Sequence, residues 1–147
     1  MNNLIRTDKL SKTFLMGSES IRALRSVSIE IYESDFLAIQ GASGSGKSTL
    51  LYMLGLLDQA SSGDYFLLNQ STKNLSSNQK AKLRNQLMGF VFQSFHLLPR
   101  CNALRNVAMP LVYSACYGNS LSSKEIDYRA ASALDKVGLS DRKLHLP

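Results

Sequence analysis

The order of apolar and polar positions divides the chain into short strand-like and helix-like runs. Partial alternation at residues 4–6 and 22–31, on either side of the turn cluster Met16-Gly17-Ser18, predicts short strands. Phe36-Leu37-Ala38-Ile39 is a continuous apolar run, the mark of a strand covered on both faces. Residues 47–57 place Leu50, Leu54 and Leu57 on one helical stripe with Leu51 and Met53 beside it, so this helix is expected to be buried nearly all round. Residues 65–68 and 89–93 are further strand candidates. Ser76 with Gln79 three residues on forms a capping box that opens a polar helix through Leu87. Pro99 breaks the chain, and a helical stretch at 103–109 is limited or kinked by Pro110. The last helix is bounded by a capping box at Ser122 and Glu125 and by Gly138; Ile126, Ala130, Leu134 and Val137 share one face. Strands alternating with helices predict an α/β protein with a parallel sheet at its centre.

Composition narrows the class. With 147 residues, 44% apolar and 19% charged, the sequence reads as one globular domain able to bury a core. No apolar stretch approaches the ~18 residues of a membrane span. Arg6, Asp8 and Lys9 stand where a signal peptide would be apolar, so an intracellular protein is expected. Cys101 and Cys116 are too few and too far apart for a zinc site or a disulfide framework. His96 and His145 have no metal-ligand partner at suitable spacing. The net charge of +6 is scattered, with mild clustering at Lys80, Lys82 and Arg84, and reads as a solvated surface; no nucleic-acid partner is expected.

The chemistry concentrates in Gly41-Ala42-Ser43-Gly44-Ser45-Gly46-Lys47-Ser48, which fits G-x-x-x-x-G-K-[ST] without a mismatch. Glycines let successive backbone N–H groups turn inward around phosphates, and the following helix presents its free N–H groups and positive dipole end to the same anion. Lys47 can reach the β- and γ-phosphates, the Ser48 hydroxyl can ligate Mg²⁺, and Thr49 adds a second hydroxyl. The motif lies where that mechanism requires, between an apolar strand and an apolar helix. A dinucleotide fingerprint beginning at Gly44 would need glycine at Thr49.

Residues 41–49 resemble the Walker A segment of ATP-binding cassette (ABC) transporter ATPases, and the likeness extends from about Leu4 to Pro147. Residues 23–28 look like the family's second strand, and residues 36–40 like the strand that feeds the loop. Residues 54–58 and 61–63 look like the segment after the Walker A helix, and Gly89-Phe90-Val91-Phe92-Gln93 through Pro99 resembles its Q-loop. The branch serving lipoprotein release, macrolide export and antimicrobial-peptide export is the most similar. The resemblance implies a P-loop NTPase fold of the ABC type: an antiparallel β part, an incomplete parallel-sheet core and a partial helical subdomain, all in one domain over residues 1–147. It implies that Gln93 is the Q-loop glutamine, contributing to Mg²⁺ or water and passing movement to a membrane-spanning subunit. Phe14 falls where the family stacks an aromatic on adenine, and Ser34 where it often has glycine. The resemblance further implies ATP and Mg²⁺ as ligands, a second nucleotide-binding subunit that sandwiches ATP, and a place on the inner face of the cell membrane.

The chain departs from the family pattern at its end: signature, Walker B, D-loop and switch-histidine segments are not found, and the sequence reads as truncated before the signature. Phosphate binding without competent hydrolysis is therefore expected of these 147 residues. Two other readings stay open, a non-hydrolysing nucleotide-binding remnant and a different P-loop enzyme such as a small-molecule kinase.

Overall fold

The computed structural model describes residues 3–118 and 120–147. The chain divides into two compact units, residues 1–81 and 82–147.

The first unit is built on one long strand. β1 (Asn3–Met16) turns tightly at Gly17 and Ser18 into β2 (Glu19–Val27), and β3 (Glu30–Tyr32) returns beside the start of β1. On its other edge β1 carries β4 (Ser62–Leu67), followed by β5 (Gln70–Ser71). The expected run at 22–31 is thus two strands. Thr7 divides them: it is 3% exposed, and its hydroxyl donates to the Val27 carbonyl and accepts from the Ile29 N–H. The β4–β5 hairpin turns through Leu68 and Asn69, both at positive φ (49° and 62°), the twist that two-residue hairpins favour.

α1 (Lys47–Leu54) closes the sheet with Leu50, Met53 and Leu54, which join Leu10, Leu24, Leu56, Tyr65 and Leu67 in the core. Only one face is covered. Leu51, Tyr52 and Leu57 are exposed, so α1 is amphipathic in context despite an apolar sequence all round. It also stops at Leu54 rather than Leu57. Leu56 adopts φ 55°, its N–H reaches the Met53 carbonyl, and the Leu57 N–H reaches back to Tyr52. These two bonds make a Schellman ending with leucine where glycine is usual.

The apolar runs at 36–39 and 89–93 form no ladder, and every pairing among the described residues is antiparallel. Phe36 is 97% exposed and Val91 fully so. A strand of this composition needs neighbours on both edges and cover on both faces, and neither run finds a partner strand among the described residues.

α2 (Ser77–Leu87) holds the boundary between the units and opens on the expected capping box: the Ser76 N–H donates to Gln79 Oε1 at 2.8 Å, and the Gln79 N–H to Ser76 Oγ at 3.3 Å. In the second unit, α3 (Ala103–Cys116) packs on α4 (Ser123–Lys136) through Ala108, Ile126 and Ala130, with Leu104, Leu111 and Leu121 around them. α3 runs through Pro110 instead of ending there. The proline carbonyl takes a hydrogen bond from Asn85 Nδ2 at 2.8 Å, and no sharp stop follows. Ser122 caps α4 as expected, and Gly138 at φ 72° lies just past its end.

Candidate functional site

The glycine-rich loop lies in the first unit between the irregular apolar run and α1. Its conformation follows from two constraints at Gly46. The residue sits at φ 92°, a region side chains resist, and a Cβ there would lie 2.2 Å from the carbonyl oxygen of Ala23 on β2. Glycine lets the helix start directly against the strand. Within the loop the Ser45 N–H donates to the Ala42 carbonyl at 3.3 Å, and the Leu50 N–H to the Gly46 carbonyl at 2.9 Å begins the helical ladder.

No side chain caps α1, and no acidic residue stands in its first turn. A helix start without a capping side chain keeps donors and positive dipole end available to an anion. The Lys47 ammonium folds back over the loop and donates to the carbonyls of Gly41 at 2.9 Å and Ala42 at 2.7 Å. These are exposed bonds to neutral acceptors, which charged phosphate oxygens would outbid. The open concavity, about 250 Å³, is lined by Ala23, Ser43, Gly44, Gly46, Lys47, Ser48 and Thr49. The loop's donors and single cation fit a phosphate chain. For Mg²⁺ the loop offers the exposed Ser48 hydroxyl; among the described residues this hydroxyl has no protein partner and no cluster of three metal-ligating side chains exists.

The structure brings residues 41–49 together and adds Ala23, which sequence reasoning did not select. Nothing in the local pattern marks Ala23, because its part is played by a backbone carbonyl meeting a glycine more than twenty positions away. Phe14 stands on β1 opposite Ile21, 39% exposed, outside the residues that line the loop concavity. The Lys12 ammonium lies 4.9 Å over its ring and also bonds Asp58 Oδ1 at 2.5 Å and the Gln59 carbonyl at 2.7 Å. Lys12 thereby clasps β1 to the segment after α1. Burial works to raise the Asp58 carboxyl; the Lys12 hydrogen bond, the Gln59 N–H and the Lys12 charge outweigh it and hold the pKa below the ordinary carboxylate value.

Gln93 belongs to the second unit, exposed in an irregular segment. Around it Phe90 and Phe92 stack at 5.6 Å, and the His96 ring tilts against Phe92 at 4.9 Å. His96 Nδ1 lies 2.8 Å from the Ser94 carbonyl oxygen, which can only accept, so this nitrogen carries the proton. Asn106 of α3 supports the turn that follows: Oδ1 accepts from the Leu98 N–H at 2.8 Å and Nδ2 donates to the Cys101 carbonyl at 2.8 Å. The left-handed backbone at Ser34, φ 71°, explains why glycine would suit that turn.

Fold and loop together define an α/β domain of the P-loop class. The chain matches the ABC transporter family over residues 24–146, and it belongs to that family. It is 40% identical over 144 residues to the uncharacterized ABC transporter ATP-binding protein YknY of Bacillus subtilis, covering 98% of this chain and 60% of the relative. It is 45% identical over 136 residues to the lipoprotein-releasing system ATP-binding protein LolD of Acinetobacter baylyi, covering 92% and 58%. The macrolide export ATP-binding/permease protein MacB of Vibrio parahaemolyticus is 42% identical over 144 residues, 21% of its length. Among solved structures, the dimeric post-hydrolysis state of the ATP-binding cassette MJ0796 bound to ADP and Pi superposes with a TM-score of 0.89 at 37% identity, over 98% of this chain and 62% of that one. The chain thus spans about 60% of the length of the ATP-binding relatives it matches. Among the described residues no helix is long and apolar enough to cross a membrane.

Proposed function

We propose that this chain is the nucleotide-binding part of an ABC export or release system. It binds MgATP through residues 41–49 and works with a membrane-spanning subunit and a second nucleotide-binding subunit at the inner membrane face. The observation that carries the reading is the uncapped start of α1 beside Lys47, whose ammonium rests on two replaceable carbonyl acceptors. The names of the relatives support the transport role, and the dimeric, ADP-bound cassette supports the paired arrangement.

In this reading the main-chain N–H groups of the loop and first helical turn surround the phosphates, and Lys47 moves from the Gly41 and Ala42 carbonyls to them. Ser48 would hold Mg²⁺, which neutralises phosphate charge when bound. Phe14 would offer its ring face to the base. The test is a titration of the chain with ATP and Mg²⁺, followed by calorimetry. Saturable binding that Lys47→Ala weakens supports the reading. A folded sample with no saturable heat at millimolar nucleotide overturns it. Retention of the chain on membranes bearing a co-expressed permease, and its release by substitutions around Gln93, tests the transport role separately.

A further inference from the structure

A second cavity of the first unit, larger than the concavity at the glycine loop, lies away from that loop. It measures about 360 Å³ and opens between the end of α1, the segment after it and the start of α2. That volume lies within the range of small-ligand pockets, roughly 300–1,000 Å³. Its lining is divided. Leu10, Met53 and Leu56, each 5% exposed or less, give an apolar floor. Gln59, Ser62 and Lys80 stand on the polar side, and among the described residues no hydrogen bond or ion pair engages any of their side chains. The other charged groups there are already matched: Asp58 by Lys12 at 2.5 Å, and Lys73 by Asp64 at 3.3 Å. Lys80 is therefore a half-buried cation without an anion, beside an apolar seat and two neutral hydrogen-bonding groups. One negative charge placed there would complement the ammonium.

From this juxtaposition we infer a second binding site, for a small amphipathic monocarboxylate whose apolar body rests on Leu10, Met53 and Leu56 while its carboxylate meets Lys80. A single unpaired ammonium matches a single charge, and the Ser62 hydroxyl and Gln59 amide suit the two oxygens of a carboxylate. The site shares no lining residue with the loop concavity.

Methyl NMR of the full chain labelled at its five methionines tests this, with octanoate as the probe. Octanoate should move the Met53 methyl saturably and leave exposed Met16 in place, and 1-octanol should bind about tenfold more weakly. Lys80→Gln should weaken octanoate about tenfold without changing octanol, and Gln59→Ala, at an exposed position, should weaken it a fewfold. The undisturbed Met53 resonance before ligand is added reports that each variant is folded. The proposal is overturned if Met53 does not respond in a folded sample, if octanol and octanoate bind equally, if Lys80→Gln leaves octanoate binding unchanged, or if inorganic phosphate moves Met53 as octanoate does.

Discussion

Gly46 is pressed against Ala23: a Cβ at Gly46 would stand 2.2 Å from the Ala23 carbonyl oxygen. The start of the loop helix is therefore set by its contact with β2. Gly46→Ala must move either the strand or the helix, in addition to bearing the left-handed φ of 92°. We expect ATP affinity to fall below detection and the chain to lose at least about 2 kcal/mol of stability. Calorimetric titration and denaturant unfolding check the two effects. Gly44→Ala, with open space around it, should bear only the backbone cost of its φ of 78°.

Lys47 makes its hydrogen bonds at the surface, to carbonyls of its own loop. Its removal should leave the fold intact, with stability changed by less than about 0.5 kcal/mol. Nucleotide affinity should fall about ten- to a hundredfold in Lys47→Ala, since a charge-assisted bond to phosphate is lost. A large loss of stability with unchanged affinity would assign the lysine a structural role.

Leu56 holds a left-handed conformation, φ 55°, while its side chain is 5% exposed. Two terms of opposite sign meet at this residue. Leu56→Ala removes the burial and keeps the strain; Leu56→Gly removes both. The glycine variant should therefore be the more stable of the two by about 1 kcal/mol, although it is the smaller residue. Paired denaturant curves decide it, and equal midpoints would show that the Schellman ending stores no strain.

Asp58 titrates below the ordinary carboxylate value because Lys12 and the Gln59 N–H favour its charged form over the cost of burial. The sign follows from linkage. A carboxyl whose pKa is lower folded than unfolded contributes stability that is full above its unfolded pKa and is lost as pH falls through the folded one. Stability should decline as pH falls below the ordinary carboxylate value, and Asp58→Asn should flatten part of that decline. Unfolding measured across this range checks it; an unchanged profile in Asp58→Asn would remove the clasp from the account.

Local chemistry was legible in the linear sequence because it acts over a few neighbouring residues. The glycine loop followed by Lys47 and Ser48, the reciprocal capping at Ser76 and Gln79, the Ser122 cap and the turn at Gly17 each concern groups within a helical turn or two. The ABC family likeness was legible for the same reason, since its motifs are contiguous strings. Tertiary structure decided the rest. Phe36-Leu37-Ala38-Ile39 has the composition of a buried strand but finds no partner among the described residues, because a strand is stabilised by a neighbouring backbone that its own residues do not supply. Apolar residues lie almost all round α1, yet only the contacts around it determined that Met53 is buried and Leu51 exposed. Ala23, Lys12 and Asp58 took their places through contacts across tens of residues, distances over which sequence spacing carries no geometry.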